Sequence, residues 1–246
     1  MNKNHWMKRA GLLLAGFLLL NILTCGQTGG KNDAESFDKI ATTLFKPIYP
    51  LLALQIKQDY GITRGVCVDA GSGPGYLAIE LAKITELQVT ALDIDPEASR
   101  IAGRNVSANG LKGRVKVLTA DVQKIPLADN SVDLVVSRGS YIFWPDKVAA
   151  FKEIRRILKP GGTAFIGGGM GNLLPQEERR RIQDTMAEKN IGPPAELAVS
   201  FDDMGRILRQ AGIPEFKITT DEGCLCGLWV EFQKPAAKSG DNGKNS

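Results

Sequence analysis

Short apolar runs alternate with amphipathic stretches along most of the chain. Residues 65–69 (GVCVD) form an apolar run that ends in an acid and opens into a glycine loop. Residues 76–83 (YLAIELAK) have helical spacing, which puts Leu77, Leu81 and Ile84 on one face. The pattern then repeats. QVTALD at 88–93 reads as a strand, and Pro96 opens a helix reaching about Ala108. Val115–Thr119 and Val132–Ser137 read as the third and fourth strands, the latter apolar enough to be buried on both faces. A helix is expected over Asp146–Leu158, stopped by Lys159-Pro160-Gly161-Gly162, with a fifth strand at Thr163–Gly167. Ser200 and Asp203 have capping-box spacing before a helix to Ala211. Phe216–Thr220 and Leu228–Gln233 then form a hairpin. Strand and helix in repeated alternation predict an α/β fold with a doubly wound, mostly parallel sheet, its ligand at the carboxyl ends of the strands.

The two chain ends break the pattern. Residues 1–9 carry Lys3, Lys8 and Arg9 and no acid, and residues 10–24 are apolar apart from Asn21 and Thr24. A basic start followed by fifteen apolar residues matches a signal-like segment and is short for a bilayer span of about 20 residues. Cys25 follows Ile22-Leu23-Thr24 and is a lipidation candidate. These features divide the chain into a signal-like or anchor segment at 1–25, a linker at 26–36, a domain at 37–234 and a polar tail at 235–246. They also predict membrane association through residues 10–24. The basic flank points the body outward, whereas chemistry that needs a cytoplasmic donor keeps it facing the cytoplasm. The cytoplasm-facing arrangement is the expectation, with an exported lipoprotein as the alternative.

Composition removes several classes of function. The one histidine is His5, so the body has no Ser-His-Asp triad and no histidine-based zinc or iron site. Thirty-one basic against 27 acidic residues leave +4, without the excess of a general nucleic-acid binder. Cys67 lies in a strand, and Cys224 and Cys226 stand two apart, which is neither CxxC nor a metal spacing. No metal is expected. Between Gly161 and Gly171, and again at Gly71–Gly75, glycine clusters where a backbone approaches a ligand.

The loop Asp69-Ala70-Gly71-Ser72-Gly73-Pro74-Gly75 is G-x-G-x-G, not the G-x-G-x-x-G of a dinucleotide site. Four segments in order, VDAGSGPGYLAIELA at 68–82, ALDIDPEA at 91–98, TADVQKIPLADNSVDLVVS at 119–137 and LKPGG at 158–162, carry a resemblance. Together they resemble the class I S-adenosylmethionine-dependent methyltransferases, in the small-molecule branch related to quinone-biosynthesis methyltransferases. The resemblance covers about Phe37 to Lys234 and implies a Rossmann-like seven-stranded sheet whose last strand is antiparallel. It implies S-adenosylmethionine as cofactor. Asp69 would anchor the loop near the methionine amine, while Gly71, Ser72, Gly73 and Gly75 bring backbone to the cofactor. Asp93 would accept both ribose hydroxyls, and Ile94 would pack on the adenine. Asp121 and the Val122 N–H would meet its amino edge, and Ser137 the methionyl end.

Methyl transfer asks for alignment and exclusion of water more than for acid–base groups, so a body without histidine suits it. The sequence after the fourth strand, Ser137-Arg138-Gly139-Ser140-Tyr141, lacks the Asn/Asp-Pro-Pro-aromatic motif of nucleic-acid amine methylation. No nucleic acid is expected, and the acceptor is expected to be a small or lipophilic molecule. Tyr141, Phe143 and Trp144 are candidates to line its site. Residues 37–60 are expected as a lid helix broken by Pro47 and Pro50, and Glu177–Arg181 as a solvated helix face. Tyr141, Asp146 and Glu178 are placeholders for a general base. The competing readings are a tethered nucleoside-binding protein without catalysis and an oxidoreductase.

Overall fold

The structure is a computed structural model that describes residues 31–222 and 227–236. Two helices, α1 (Lys31–Thr43) and α2 (Ile48–Tyr60), precede the first strand. Pro47 sits at the N-cap of α2 and Gly61, at φ 63°, ends it. The α/β body follows as β1 (Val66–Ala70), α3 (Tyr76–Ile84), β2 (Gln88–Asp93), α4 (Pro96–Ala108), β3 (Val115–Thr119) and β4 (Val132–Arg138). It continues through α5 (Lys147–Ile157), β5 (Leu158–Gly167), α6 (Gln176–Glu188), α7 (Phe201–Gln210), β6 (Lys217–Thr219) and β7 (Trp229–Gln233).

Local chemistry sets several of these boundaries. Asp95 caps α4 by accepting from the Glu97 N–H, with Pro96 in the first turn. Asp146 caps α5 through the Ala149 N–H, and the expected Ser200–Asp203 cap forms at the start of α7.

The seven strands lie in the order β3-β2-β1-β4-β5-β7-β6. All neighbouring pairs from β3 to β5 are parallel, and β7 runs antiparallel to both β5 and β6. Alternate strand residues feed two cores. Cys67, Ala91, Leu134 and Phe165 pack with α2 and α3 on one face. Val68, Leu92, Val135 and Ile166 pack with α5 and α7 on the other. A sheet buried on both faces accounts for the near-continuous apolar runs of its strands. The chain turns to opposite sides of β1 after β1 and after β3, so the switch point lies between β1 and β4.

Several expectations need correction. The linker expected at 26–36 is helical from Lys31 onward, because Ala34 finds a small apolar contact with Ala98 and Ile101 of α4. The Lys159–Gly162 turn does not separate α5 from its strand; β5 starts at Leu158. Its pairing with β4 jumps from Val132↔Leu158 to Leu134↔Thr163, leaving the turn as an irregularity inside the strand. The stretch Glu177–Arg181 is not a solvated face throughout, since the Arg179 side chain is only 2% exposed. The expected membrane association is overturned as well. Among the described residues no helix is long and apolar enough to cross a membrane. The longest described helices have 13 residues, about 20 Å against a hydrocarbon layer of about 30 Å. Residues 10–24, Cys25, Cys224 and Cys226 lie outside the described residues, so the anchor and lipidation expectations find no support.

Candidate functional site

The loop between β1 and α3 folds over the end of β2. The Gly71 and Ser72 N–H groups both donate to Leu92 O, at 2.7 and 2.9 Å. The Gly73 N–H donates to Asp93 Oδ2 at 2.7 Å, and the Asp95 N–H donates to Asp93 Oδ1 at 2.9 Å. Asp93 is thereby held by one backbone donor on each oxygen and keeps further lone pairs for a ligand. Burial raises its pKa, opposed by the N–H groups of Asp95, Gly73 and Ile94, while the Asp95 carboxylate adds to the rise.

Two glycines of this loop are required for different reasons. Gly71 has φ +69°, and a Cβ there would overlap the Ser140 side chain. Gly73 has φ +51° and faces Phe37 of α1, where a Cβ would stand 3.4 Å from the ring. Gly75 has φ +83°, and a Cβ there would press on Ala102 of α4, so this position also serves close helix packing.

These residues border a cavity of about 470 Å³ at the carboxyl ends of β1 and β2, within the usual size range for small-molecule sites. Of the residues expected from the sequence, Gly71, Gly73, Asp93, Ile94, Asp121, Val122, Phe143 and Trp144 line it. Among the described residues, four carboxylates, Asp33, Asp93, Asp95 and Asp121, lie on its wall and no Lys or Arg does. A wall of one sign favours a cationic ligand. Ile94 is 65% exposed and Phe143 39%, apolar surface left uncovered by the protein itself.

Asp69, Ser72, Gly75, Ser137 and Tyr141 are not in the lining. Asp69 is buried beneath the loop, where its Oδ2 accepts from the Ala78 N–H at 3.1 Å and tethers the start of α3. Burial pushes its pKa to about 7; the Ala78 N–H opposes that rise and Asp93 adds to it. Ser72 has a buried Oγ without a partner. Tyr141 is part of the core on the α5 face, which raises its hydroxyl pKa. The other base placeholders are also engaged, Asp146 as the α5 cap and Glu178 paired with Arg181.

Ser140 and Phe37, which the sequence reading did not single out, are also cavity walls. Ser140 donates from Oγ to Ala70 O at 2.9 Å, and Ser137 donates to Ser140 at 2.7 Å. This relay joins the end of β4 to the glycine loop. Its signal in the chain was the i, i+3 serine pair across Gly139, which turns at φ +80°.

Also missed was a buried ion pair on the far side of the sheet end. Asp221 accepts from four donors: the Met170 N–H (2.6 Å), the Gly171 N–H (3.1 Å), Trp229 Nε1 (2.7 Å) and Arg179 Nη1 (2.8 Å). Arg179 also donates to Gly171 O. The cluster ties the segment after β5 to α6 and β7.

The residues that would hold S-adenosylmethionine fit it on the structure's own terms. The acidic wall suits a ligand that carries a sulfonium and an amine, Asp93 retains acceptor capacity for hydroxyls, and Ile94 offers an open apolar face. Comparison with known proteins agrees. A methyltransferase-domain family model matches residues 68–166. A crystal structure from Methanococcus maripaludis, provisionally described as an S-adenosyl-L-methionine-dependent methyltransferase, superposes with a TM-score of 0.76 at 39% identity, covering 85% of this chain and 95% of that one. The sterol 24-C-methyltransferase ERG6B of Gibberella zeae is 36% identical over 108 residues, covering 44% of this chain and 28% of the relative. The dimethylglycine N-methyltransferase of Parasynechococcus marenigrum is 34% identical over 155 residues, covering 60% and 54%. The chain thus spans about half or less of the length of these two curated relatives. A cavity with an acidic wall beneath a glycine loop, on a seven-stranded sheet shared across 95% of the Methanococcus protein, shows that this chain belongs to the S-adenosylmethionine-dependent methyltransferase family.

Proposed function

We propose that the protein transfers a methyl group from S-adenosylmethionine to a small, lipophilic acceptor, through a domain that runs from α1 to Lys234. The observation that carries this reading is the Asp93 carboxylate, fixed by Gly73 and Asp95 at the edge of an otherwise acidic and apolar cavity. The cofactor, when bound, would supply a sulfonium methyl group: the acceptor's electron pair would bond to the methyl carbon as the carbon–sulfur bond breaks, its electrons leaving with a neutral thioether and any proton on the acceptor passing to solvent. The protein's share is binding and alignment. Asp93 accepts ribose hydroxyls, while Ile94 and Val122 flank the base, with Asp121 at its edge. Asp69, beneath the loop, tethers the start of α3 through the Ala78 N–H. Ser137 acts through Ser140, which sets the distance between the end of β4 and the loop. Phe37, Phe143 and Trp144 wall the cavity with apolar surface and exclude water.

The lipophilic acceptor rests on that apolar wall and on similarity to a sterol methyltransferase. The groups that the sequence offered as a base are engaged or buried, Tyr141 in the core, Asp146 as the α5 cap and Glu178 on Arg181, which suits an acceptor that is already nucleophilic. Calorimetric titration with S-adenosylmethionine and with S-adenosylhomocysteine tests the cofactor assignment, and both are expected to bind. Absence of binding by a folded protein would remove it. Release of S-adenosylhomocysteine in the presence of a lipophilic acceptor tests the transfer itself.

A further inference from the structure

We infer that Arg138, the last residue of β4, reads an anionic group, a carboxylate or a phosphate, on the methyl acceptor; the inference rests on the methyltransferase reading above. Arg138 lies at the carboxyl end of the strand next to β1, beside the switch point where doubly wound sheets bind their ligands. Ser140, two residues further on, already lines the cavity.

The guanidinium is held but not neutralised. Its Nε donates to Gly169 O at 3.0 Å, and its carbon sits 4.6 Å from the Phe45 ring centre and 5.5 Å from that of Tyr49. Apart from the neighbouring Tyr49 hydroxyl, no side-chain acceptor among the described residues meets it, and no carboxylate there pairs with it. Arg156 and Arg179, by contrast, each engage a carboxylate directly. A half-buried cation that has lost part of its water is stabilised by aromatic faces only in part. The remaining edge is a planar fork of N–H donors, the geometry that binds carboxylate or phosphate in pairs of hydrogen bonds.

The distribution of charge around the sheet end supports the same assignment. Among the described residues the cavity wall carries four carboxylates and no cation, so it repels an anionic acceptor group and favours a sulfonium. Arg138, outside that lining and two residues before Ser140, offers the opposite sign. A cationic donor on the acidic wall and an anionic acceptor tail on Arg138 would be sorted by charge and oriented with the nucleophile between them. Arg138 is also well fixed. The carbonyl that holds it, Gly169 O, immediately precedes the Met170 and Gly171 N–H groups anchored on Asp221.

The test uses the full chain loaded with S-adenosylhomocysteine and titrated with three probes: 4-hydroxybenzoate, phenyl phosphate and the neutral 4-hydroxybenzamide. Loading is measured first, and its failure would overturn the methyltransferase reading. With loaded protein, at least one anion is expected to bind about tenfold or more tighter than the amide. Arg138→Gln is expected to abolish that preference without changing S-adenosylhomocysteine loading, and Arg138→Lys to retain part of it. If the Gln variant does not fold, the reduced preference of the Lys variant decides the point. Which anion wins identifies carboxylate or phosphate. Equal binding of anion and amide, binding of none of the three, or a preference that survives loss of Arg138 would each overturn the inference.

Discussion

Two aspartates at the same edge of the sheet hold backbone N–H groups and yet serve opposite ends. Asp221 is sealed, with two N–H groups, an indole and a guanidinium occupying its carboxylate. Asp93 accepts one N–H on each oxygen and still borders an open cavity. The number of partners explains the difference. A carboxylate offers about four acceptor positions; Asp221 has filled them with protein, whereas Asp93 holds some in reserve. The first arrangement rigidifies the segment after β5. The second fixes a carboxylate in place and leaves it able to bind something else.

The largest expected effect lies on the sealed side. Arg179→Met leaves Asp221 buried without its counter-charge and is expected to destabilise the fold by about 3–5 kcal/mol in urea denaturation. Adding Asp221→Asn should recover part of that loss. An Arg179→Met protein as stable as the parent would show that the cluster is not a structural clamp. Asp93→Ala should behave in the reverse manner. Cofactor affinity is expected to fall by about 1.5–3 kcal/mol per charge-assisted hydrogen bond lost, while the melting temperature changes less than in Arg179→Met. Unchanged affinity in a folded Asp93→Ala protein would end the ribose assignment.

Asp69 tests a third condition, a buried carboxylate with no cation beside it. Its folded pKa of about 7 lies above the ordinary value near 3.8, so between these values the folded state holds a proton that the unfolded chain has released. Stability from this group therefore falls as pH rises through that window, and the full penalty stands above about pH 7. Asp69→Asn, which keeps an acceptor for the Ala78 N–H, should raise the melting temperature of cofactor-free protein at pH 8 and leave it unchanged at pH 3.5. Equal shifts at both pH values would contradict the buried, proton-sharing carboxylate. The smallest effect is expected at Ile94. Because the side chain is 65% exposed, Ile94→Ala should leave stability unaltered and weaken cofactor binding by about 1 kcal/mol, measured by calorimetry. Loss of stability without loss of binding would make Ile94 a packing residue.

Much of the cavity wall was legible from the chain because its parts are close in sequence. The glycine loop follows β1 directly, Asp93 and Ile94 stand at the end of β2, and Asp121 caps the turn after β3 through the Gln123 N–H. Each is a strand-end residue, and alternation of strand and helix is enough to bring strand ends to one edge. Tyr141 was misplaced because an aromatic in a loop fits a core as well as a pocket, and only the neighbouring α5 face drew it inward. Arg179 was misjudged for a similar reason. Its neighbours Glu178, Arg180 and Arg181 are all charged, so periodicity could not single out the one residue that turns toward Asp221.

Strand periods, helix caps and the order of the acidic strand ends were thus set by local sequence, since backbone conformation and short-range hydrogen bonds involve residues a few positions apart. Ser140 against Gly71, Arg138 between Phe45 and Gly169, and Arg179 against Asp221 are separated by up to 93 positions or brought together across different elements. Those contacts depend on how α1, α2 and α6 settle on the sheet. A charged side chain becomes buried, paired or left waiting for a ligand only when packing has decided which other groups surround it.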